Sequence, residues 1–214
     1  RSPSRGLGDV YKRQVFMNTK GLNVRDLINA GLFSVLLVLV TFIFGMLGFF
    51  PFLMPFIPFI IGIFTGSVYM LYTTRIKKAG MLFIQQIVMA LAFLISGHTI
   101  YVLITSIIGG ILAEIVLKTG DYKSVKYSRL AVVTLALSSV GNWIPIFFFR
   151  EDYLKHIVDA GYGEDYARKF NQALPNWSLI LVIILGFIGM YMGCTIGIKI
   201  LKKHFVKAGM VEDV

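Results

Sequence analysis

Apolar runs about as long as a bilayer's hydrocarbon core is thick recur along the whole chain, the first of them reading "DLINAGLFSVLLVLVTFIFG". At 1.5 Å per residue, about 18 to 24 helical residues cross about 30 Å of hydrocarbon. Six segments meet that length, near 27–48, 53–74, 79–97, 99–118, 129–149 and 177–200. With 57% apolar and only 15% charged residues among 214, nothing is left over for a separate soluble domain. The expected fold is an all-α integral membrane protein, with residues 17–214 forming one six-helix membrane domain.

The connections carry two kinds of signal. In "GMLGFFPFLMPFIPFIIG", Pro51, Pro55 and Pro58 break helical geometry while aromatic side chains keep the segment at the interface. The long connection "REDYLKHIVDAGYGEDYARKFNQALPNW" holds Glu151-Asp152 and Glu164-Asp165, each placed to open a short helix at its positive end. Lys and Arg divide sharply between the two sides. Lys20, Arg25, Arg75, Lys77, Lys78, Lys118, Lys123, Lys126, Arg129, Lys199, Lys202, Lys203 and Lys207 fall on one side, and only Arg150, Lys155, Arg168 and Lys169 on the other. Positive residues stay cytoplasmic, so both termini are expected inside and the 150–176 loop between helices 5 and 6 outside. The net charge of +10 then reflects topology, and nucleic acid is a poor candidate partner.

The head "RSPSRGLGDVYKRQVF" sits oddly on this plan. No apolar core follows its basic residues closely, as a secretory signal requires. "DVYKRQ" back-translates to a sequence resembling a transposon end used in preparing sequencing libraries. Residues 1–16 are therefore expected to be a non-native read-through tail, with Met17 as the native start.

Chemistry-bearing motifs are missing. The chain has no GxxxxGK[ST] phosphate loop, no HExxH helix and no GxSxG elbow, so ATP hydrolysis belongs to other chains if it is needed at all. His98, His156 and His204 are not spaced to hold a metal on one helix face, and Cys194 stands alone inside an apolar run. The expectation is a protein that is not an enzyme, with no cofactor and no metal.

Small residues one turn apart let helices approach in lipid. Gly189, Gly193 and Gly197 form such a ridge on the sixth span, Gly62 and Gly66 on the second, and Gly109 with Ala113 on the fourth. These read as bundle packing. Ala30 and Ser34 make the same step near the start of the first span, where they could face a partner subunit. Glu114 and Lys118 stand in the favourable order for an i,i+4 pair near the cytoplasmic boundary, a structural or coupling role. Gln85 and Gln86 read as interhelical hydrogen-bonders.

The short basic lead, the Ala-xxx-small step in the first of six spans and the overall length resemble the substrate-binding S component of an energy-coupling-factor (ECF) transporter. Within that group, "GGILAEIVLKTGDYKS" and "SSVGNWIPIFFFREDY" resemble the S components called the Trep_Strep family, over essentially all of 17–207. The step departs from the usual Ala-xxx-Ala in having Ser34.

That resemblance implies a bacterial plasma-membrane protein, multi-pass, that captures a vitamin or similar small nutrient from outside. It also implies docking through the first helix, at Ala30 and Ser34, onto a transmembrane T subunit with two ATPase subunits. The ligand would lie in the outer half of the bundle, which nominates His98, Thr99, Tyr101, Thr105, Asn142, Trp143, Asn176 and Trp177. Duller roles stand beside these. Trp143 and Trp177 suit an aromatic belt, His98 suits a loop, and the Asn142 amide requires partners that either a ligand or a neighbouring helix can supply. Two other classes stay open, a membrane-embedded enzyme built around His98 or Asn142, and a structural or channel-like bundle held by its glycine ridges.

Overall fold

A computed structural model describes residues 23–206. The readings of residues 1–16, Met17, Lys20 and Lys207 lie outside the described residues. The described chain is helical, and four of its helices are long and apolar enough to cross a membrane: Val24–Phe49, Pro51–Arg75, Tyr101–Thr119 and Ser178–Lys203.

The first helix, α1 (Val24–Gly45), starts at a reciprocal cap. Asn23 Oδ1 accepts from the Asp26 amide at 2.8 Å, and Asp26 Oδ2 accepts from the Asn23 amide at 3.0 Å. The Asp26 carboxylate also takes Lys78 Nζ at 2.5 Å, which fixes the start of α1 to the turn that follows α2 (Ile57–Arg75). Between α1 and α2 the proline-rich segment runs as two 3₁₀ turns, Met46–Phe49 and Pro51–Phe56, because Pro51 and Pro55 cannot supply the amides a continuous α-helix needs.

The helix α3 (Met81–Ile95) is apolar but, at 15 residues, spans only about 22 Å. Then follow α4 (Tyr101–Thr119) and the segment expected as a fifth span over 129–149. That segment is not one helix. It is α5 (Val125–Thr134), a 3₁₀ stretch Leu135–Asn142 and α6 (Ile144–Phe148). Pro145 has no amide to donate and crowds the carbonyl one turn back, and the Ser139 hydroxyl competes for the Ala136 carbonyl at 2.7 Å.

The long connection folds into α7 (Arg150–Ile157) and α8 (Glu164–Ala173), each opened by its acidic pair. Between them the chain turns at Gly161 and Gly163, whose φ of 90° and 83° only glycine adopts freely. The last long helix is α9 (Ser178–Ile200).

Packing is tightest where glycines let backbones touch. A Cβ at Gly62 would stand 2.6 Å from the Met190 amide nitrogen, and one at Gly66 2.7 Å from the Met190 carbonyl oxygen. From the other side, Gly189 and Gly193 abut the Phe59 and Ile63 carbonyls, and Gly197 abuts Ser67. The Ser67 hydroxyl donates to the Gly193 carbonyl at 2.9 Å across the same seam. Gly109 admits Ser138 against α4, and Ala113, one turn on, is fully buried.

Two expectations are corrected. Ala30 and Ser34 do not face outward: they are 4% and 1% exposed and belong with Leu37 and Thr41 to the inward stripe of α1. The outward face carries Leu27, Ile28, Gly31, Leu32 and Val35. Glu114 forms no ion pair with Lys118 among the described residues. Its Oε1 accepts instead from the Leu82 and Phe83 amides, at 2.8 and 3.3 Å, and so caps the start of α3 where Gly80 has no side chain to do so. The positive end of the α3 dipole favours a carboxylate there.

Candidate functional site

The helices turn one stripe each inward, several of them studded with polar side chains, and together the stripes enclose a cavity of about 950 Å³. On α2 the stripe is Pro58, Ile61, Gly62, Thr65 and Tyr69, and on α3 it is Gln86, Met89 and Phe93, both stepping by three or four. Thr41 and Phe42 come from α1, Val102 and Ser106 from α4, and Gly186 and Met190 from α9. The broken segment supplies Ser138, Ser139, Asn142 and Trp143. Irregular backbone at membrane depth is tolerated where it lines a cavity, and this stretch does so.

The floor is polar and buried. Tyr69 Oη donates to Gln85 Oε1 at 2.8 Å, and Gln86 Nε2 donates to Tyr69 Oη at 2.6 Å and to Gln85 Oε1 at 2.8 Å. This closed triangle ties α2 to α3 and presents Tyr69 and Gln86 to the cavity. Higher up, Asn142 Oδ1 and Ser138 Oγ are buried without any hydrogen-bond partner. A buried amide oxygen left unpaired costs about 1–3 kcal/mol, which a donor on a bound molecule would recover.

Over the cavity sit the proline-rich turns and the two helices of the long loop. The Tyr166 hydroxyl donates to the Gly48 carbonyl at 2.6 Å, which joins α8 to the first 3₁₀ turn. Phe170, Leu174 and Ile157 pack with Trp143, Ile146 and Val182 into a small apolar core beneath the two short helices. Aromatic rings dominate this end: Tyr101 stacks on Phe149 at 5.9 Å, and Tyr162 stands 5.1 Å from Tyr166. Burial pushes the Tyr153 hydroxyl up to about 12, and Tyr166 is raised by the same cause, so these phenols stay neutral donors.

The eight nominated residues divide. His98, Thr99, Tyr101, Asn142 and Trp143 come together on the cavity wall. His98 lies edge-on to Phe93 at 4.7 Å with its Nδ1 3.0 Å from Ser96 Oγ; the residue is exposed, and partial desolvation of the ring lowers its pKa from the ordinary imidazole value. Trp143 is buried, so an aromatic belt does not account for it. Thr105 is off the wall: its hydroxyl lies 2.8 Å from the Ser138 carbonyl and fastens α4 to the 3₁₀ stretch. Asn176 and Trp177 are exposed and line no part of the cavity, as a belt position requires of Trp177.

Sequence reasoning missed the deep wall and the lid. Gln86 is the interhelical hydrogen-bonder that the sequence suggests, but its place on the cavity wall, and any role for Tyr69 and Thr65 among apolar neighbours, are not legible there. Their signal was the i, i+4 step Thr65–Tyr69, in register with Gly62 and Pro58. Among the described residues no cluster of His, Cys, Asp and Glu could hold a metal ion.

Comparison with known proteins gives one family. A family model described as a hypothetical bacterial integral membrane protein (Trep_Strep) matches residues 24–207, nearly all that the structure describes, and the chain belongs to that family. No curated protein and no solved structure matches it.

Proposed function

We propose that this member of the Trep_Strep family is the solute-binding S component of an ECF-type importer, capturing a small nutrient from outside the cell. The observation that carries the reading is the cavity of about 950 Å³, apolar with a few convergent polar groups, held inside a membrane bundle beneath two short helices. In this reading α3 and the segmented 125–148 stretch complete six crossings, and the cavity end of the bundle faces outward. The division of Lys and Arg supports that orientation, since Arg75, Lys77, Lys78, Lys118, Lys123 and Lys126 gather at the end opposite the lid.

A chain without a phosphate loop needs partners to drive uptake, and a T subunit with two ATPases would supply the work. The test has two readouts on the full chain purified gently from bacterial membranes. A small molecule released on denaturation and identified by mass spectrometry is expected, together with co-purification of one further membrane subunit and an ATPase pair. Uptake that persists in cells lacking those ATPases, or ion conductance by the purified chain alone, would overturn the reading.

A further inference from the structure

Resting on the solute-binding reading, we infer that the cavity selects an uncharged or singly cationic compound bearing an aromatic ring, and rejects carboxylates and phosphates. Among the described residues that line it there is no lysine and no arginine. Its single carboxylate is Asp152, near the upper end on α7, and Asp152 is exposed and in no ion pair among the described residues. The two imidazoles are His98 and His156, and partial desolvation disfavours the charged form of the exposed His98. Arg150, next in the chain to the wall residue Phe149, is not itself on the wall: its guanidinium lies over the Phe147 ring at 5.4 Å, Nη1 donates to Asn171 Oδ1 at 2.7 Å, and Nε and Nη2 are buried without a hydrogen-bond partner.

An anion entering such a space would lose its water and meet no lysine or arginine on the wall itself. The start of α4, beside Thr99 and Tyr101, brings only the partial positive charge of a helix end, enough to favour a carbonyl oxygen and short of neutralising an ion. A cation meets the opposite situation. Tyr153, Tyr162, Tyr166 and Trp143 put aromatic rings on the wall, and Asp152 puts a carboxylate at the mouth. For a planar ring the same aromatic wall gives stacking area, while Asn142, Gln86 and Tyr69 supply neutral hydrogen bonds.

The test uses three indoles on a common 3-ethyl frame whose terminal groups are cationic, neutral and anionic: tryptamine, tryptophol and indole-3-propionate, titrated against the full chain in detergent by calorimetry and thermal shift, with indole-3-propionamide as the neutral match in size for the propionate. Tryptophol and tryptamine are expected to bind at least tenfold more tightly than the propionate. Asp152→Asn should weaken tryptamine three- to tenfold and leave tryptophol unchanged. Ala136→Trp, which fills the wall of the cavity, should remove binding of both and so separate the site from detergent background. Propionate binding as tightly as tryptophol, and lost in Ala136→Trp, overturns the charge selection while leaving the solute-binding reading intact. If none of the three binds, and a co-purified nutrient displaced from the wild type is itself an acid, the selection also fails; if no small molecule is ever found, both readings fall together.

Discussion

The hydroxyl of Tyr166 donates to the carbonyl of Gly48 at 2.6 Å, across 118 residues of chain. This bond links the lid helix 164–173 to the proline-rich turns after the first helix, so both roofs of the cavity are held by one phenol. Tyr166→Phe keeps the ring and its contacts and removes that bond, worth about 1 kcal/mol. A bound nutrient should then dissociate roughly fivefold faster, with the helix content by circular dichroism unchanged. An unchanged dissociation rate would mean that the lid closes by packing alone.

The seam between α2 and α9 predicts a strict size limit. A methyl group at Gly66 would meet the Met190 carbonyl oxygen at 2.7 Å, and backbone cannot yield as a side chain can. Gly66→Ala should lower unfolding stability by about 1–3 kcal/mol, the cost of overpacking. Gly45→Ala, where a Cβ meets nothing within 4 Å, should be neutral or slightly stabilising. Thermal unfolding of the two variants in the same detergent checks the contrast.

The small-residue step on α1 shows how far the sequence could be read. Ala30-xxx-Ser34 marks a close approach correctly, but the spacing cannot say whether the approaching surface belongs to this chain or another; the fold puts it inside. Helix positions were legible from apolar run length, with α1 starting three residues earlier than expected because the Asn23 and Asp26 cap extends it. The break at 135–142 was not, since apolarity is blind to the hydroxyl and proline effects that favour 3₁₀ geometry. At the site, depth arguments reached His98 and Asn142. They could not reach the Tyr69–Gln86 floor, because an interhelical hydrogen bond at Gln86 does not reveal that a cavity lies beside it until the helices are placed, nor the contact of Tyr166 with Gly48.

The same correction changes what large residues on α1 should do. Ser34→Leu forces bulk into a buried site and should destabilise the isolated chain by about 1–3 kcal/mol. Gly31→Leu, one residue into the outward face where a Cβ meets nothing within 4 Å, should leave the fold and nutrient binding intact. If a T subunit docks on this helix, Gly31→Leu should be the variant that loses uptake and co-purification. Normal uptake by Gly31→Leu would move docking to another helix.

Glu114 separates a cap from a proton carrier. Its Oε1 accepts two amides at the start of α3, a task an uncharged amide oxygen can also perform. Glu114→Gln should cost under about 1 kcal/mol, and Glu114→Ala about 1–3 kcal/mol because both amides lose their acceptor. Equal uptake by wild type and Glu114→Gln fits a cap, whereas uptake abolished in Glu114→Gln with unfolding unchanged would require a titrating carboxyl.

Acidification should act through His98. Partial desolvation lowers the folded pKa of this exposed imidazole below its ordinary value, so the unfolded chain takes up the proton first as pH falls. In the interval between the ordinary value, about 6.5, and the lower folded value, the unfolded state binds more protons and stability rises with pH. The His98 contribution is therefore fully present above about pH 6.5 and is lost as the pH falls through the folded value. A ligand that closes the cavity removes more water from the ring, which makes protonation harder still and couples binding to pH in the same direction. Thermal unfolding and nutrient affinity should both decline on acidification from pH 7, and His98→Gln, which keeps a polar side chain beside Ser96 but cannot titrate, should flatten that part of each profile. A His98→Gln profile that falls as steeply as the wild type would assign the acid sensitivity to other groups and leave His98 with a purely packing role against Phe93.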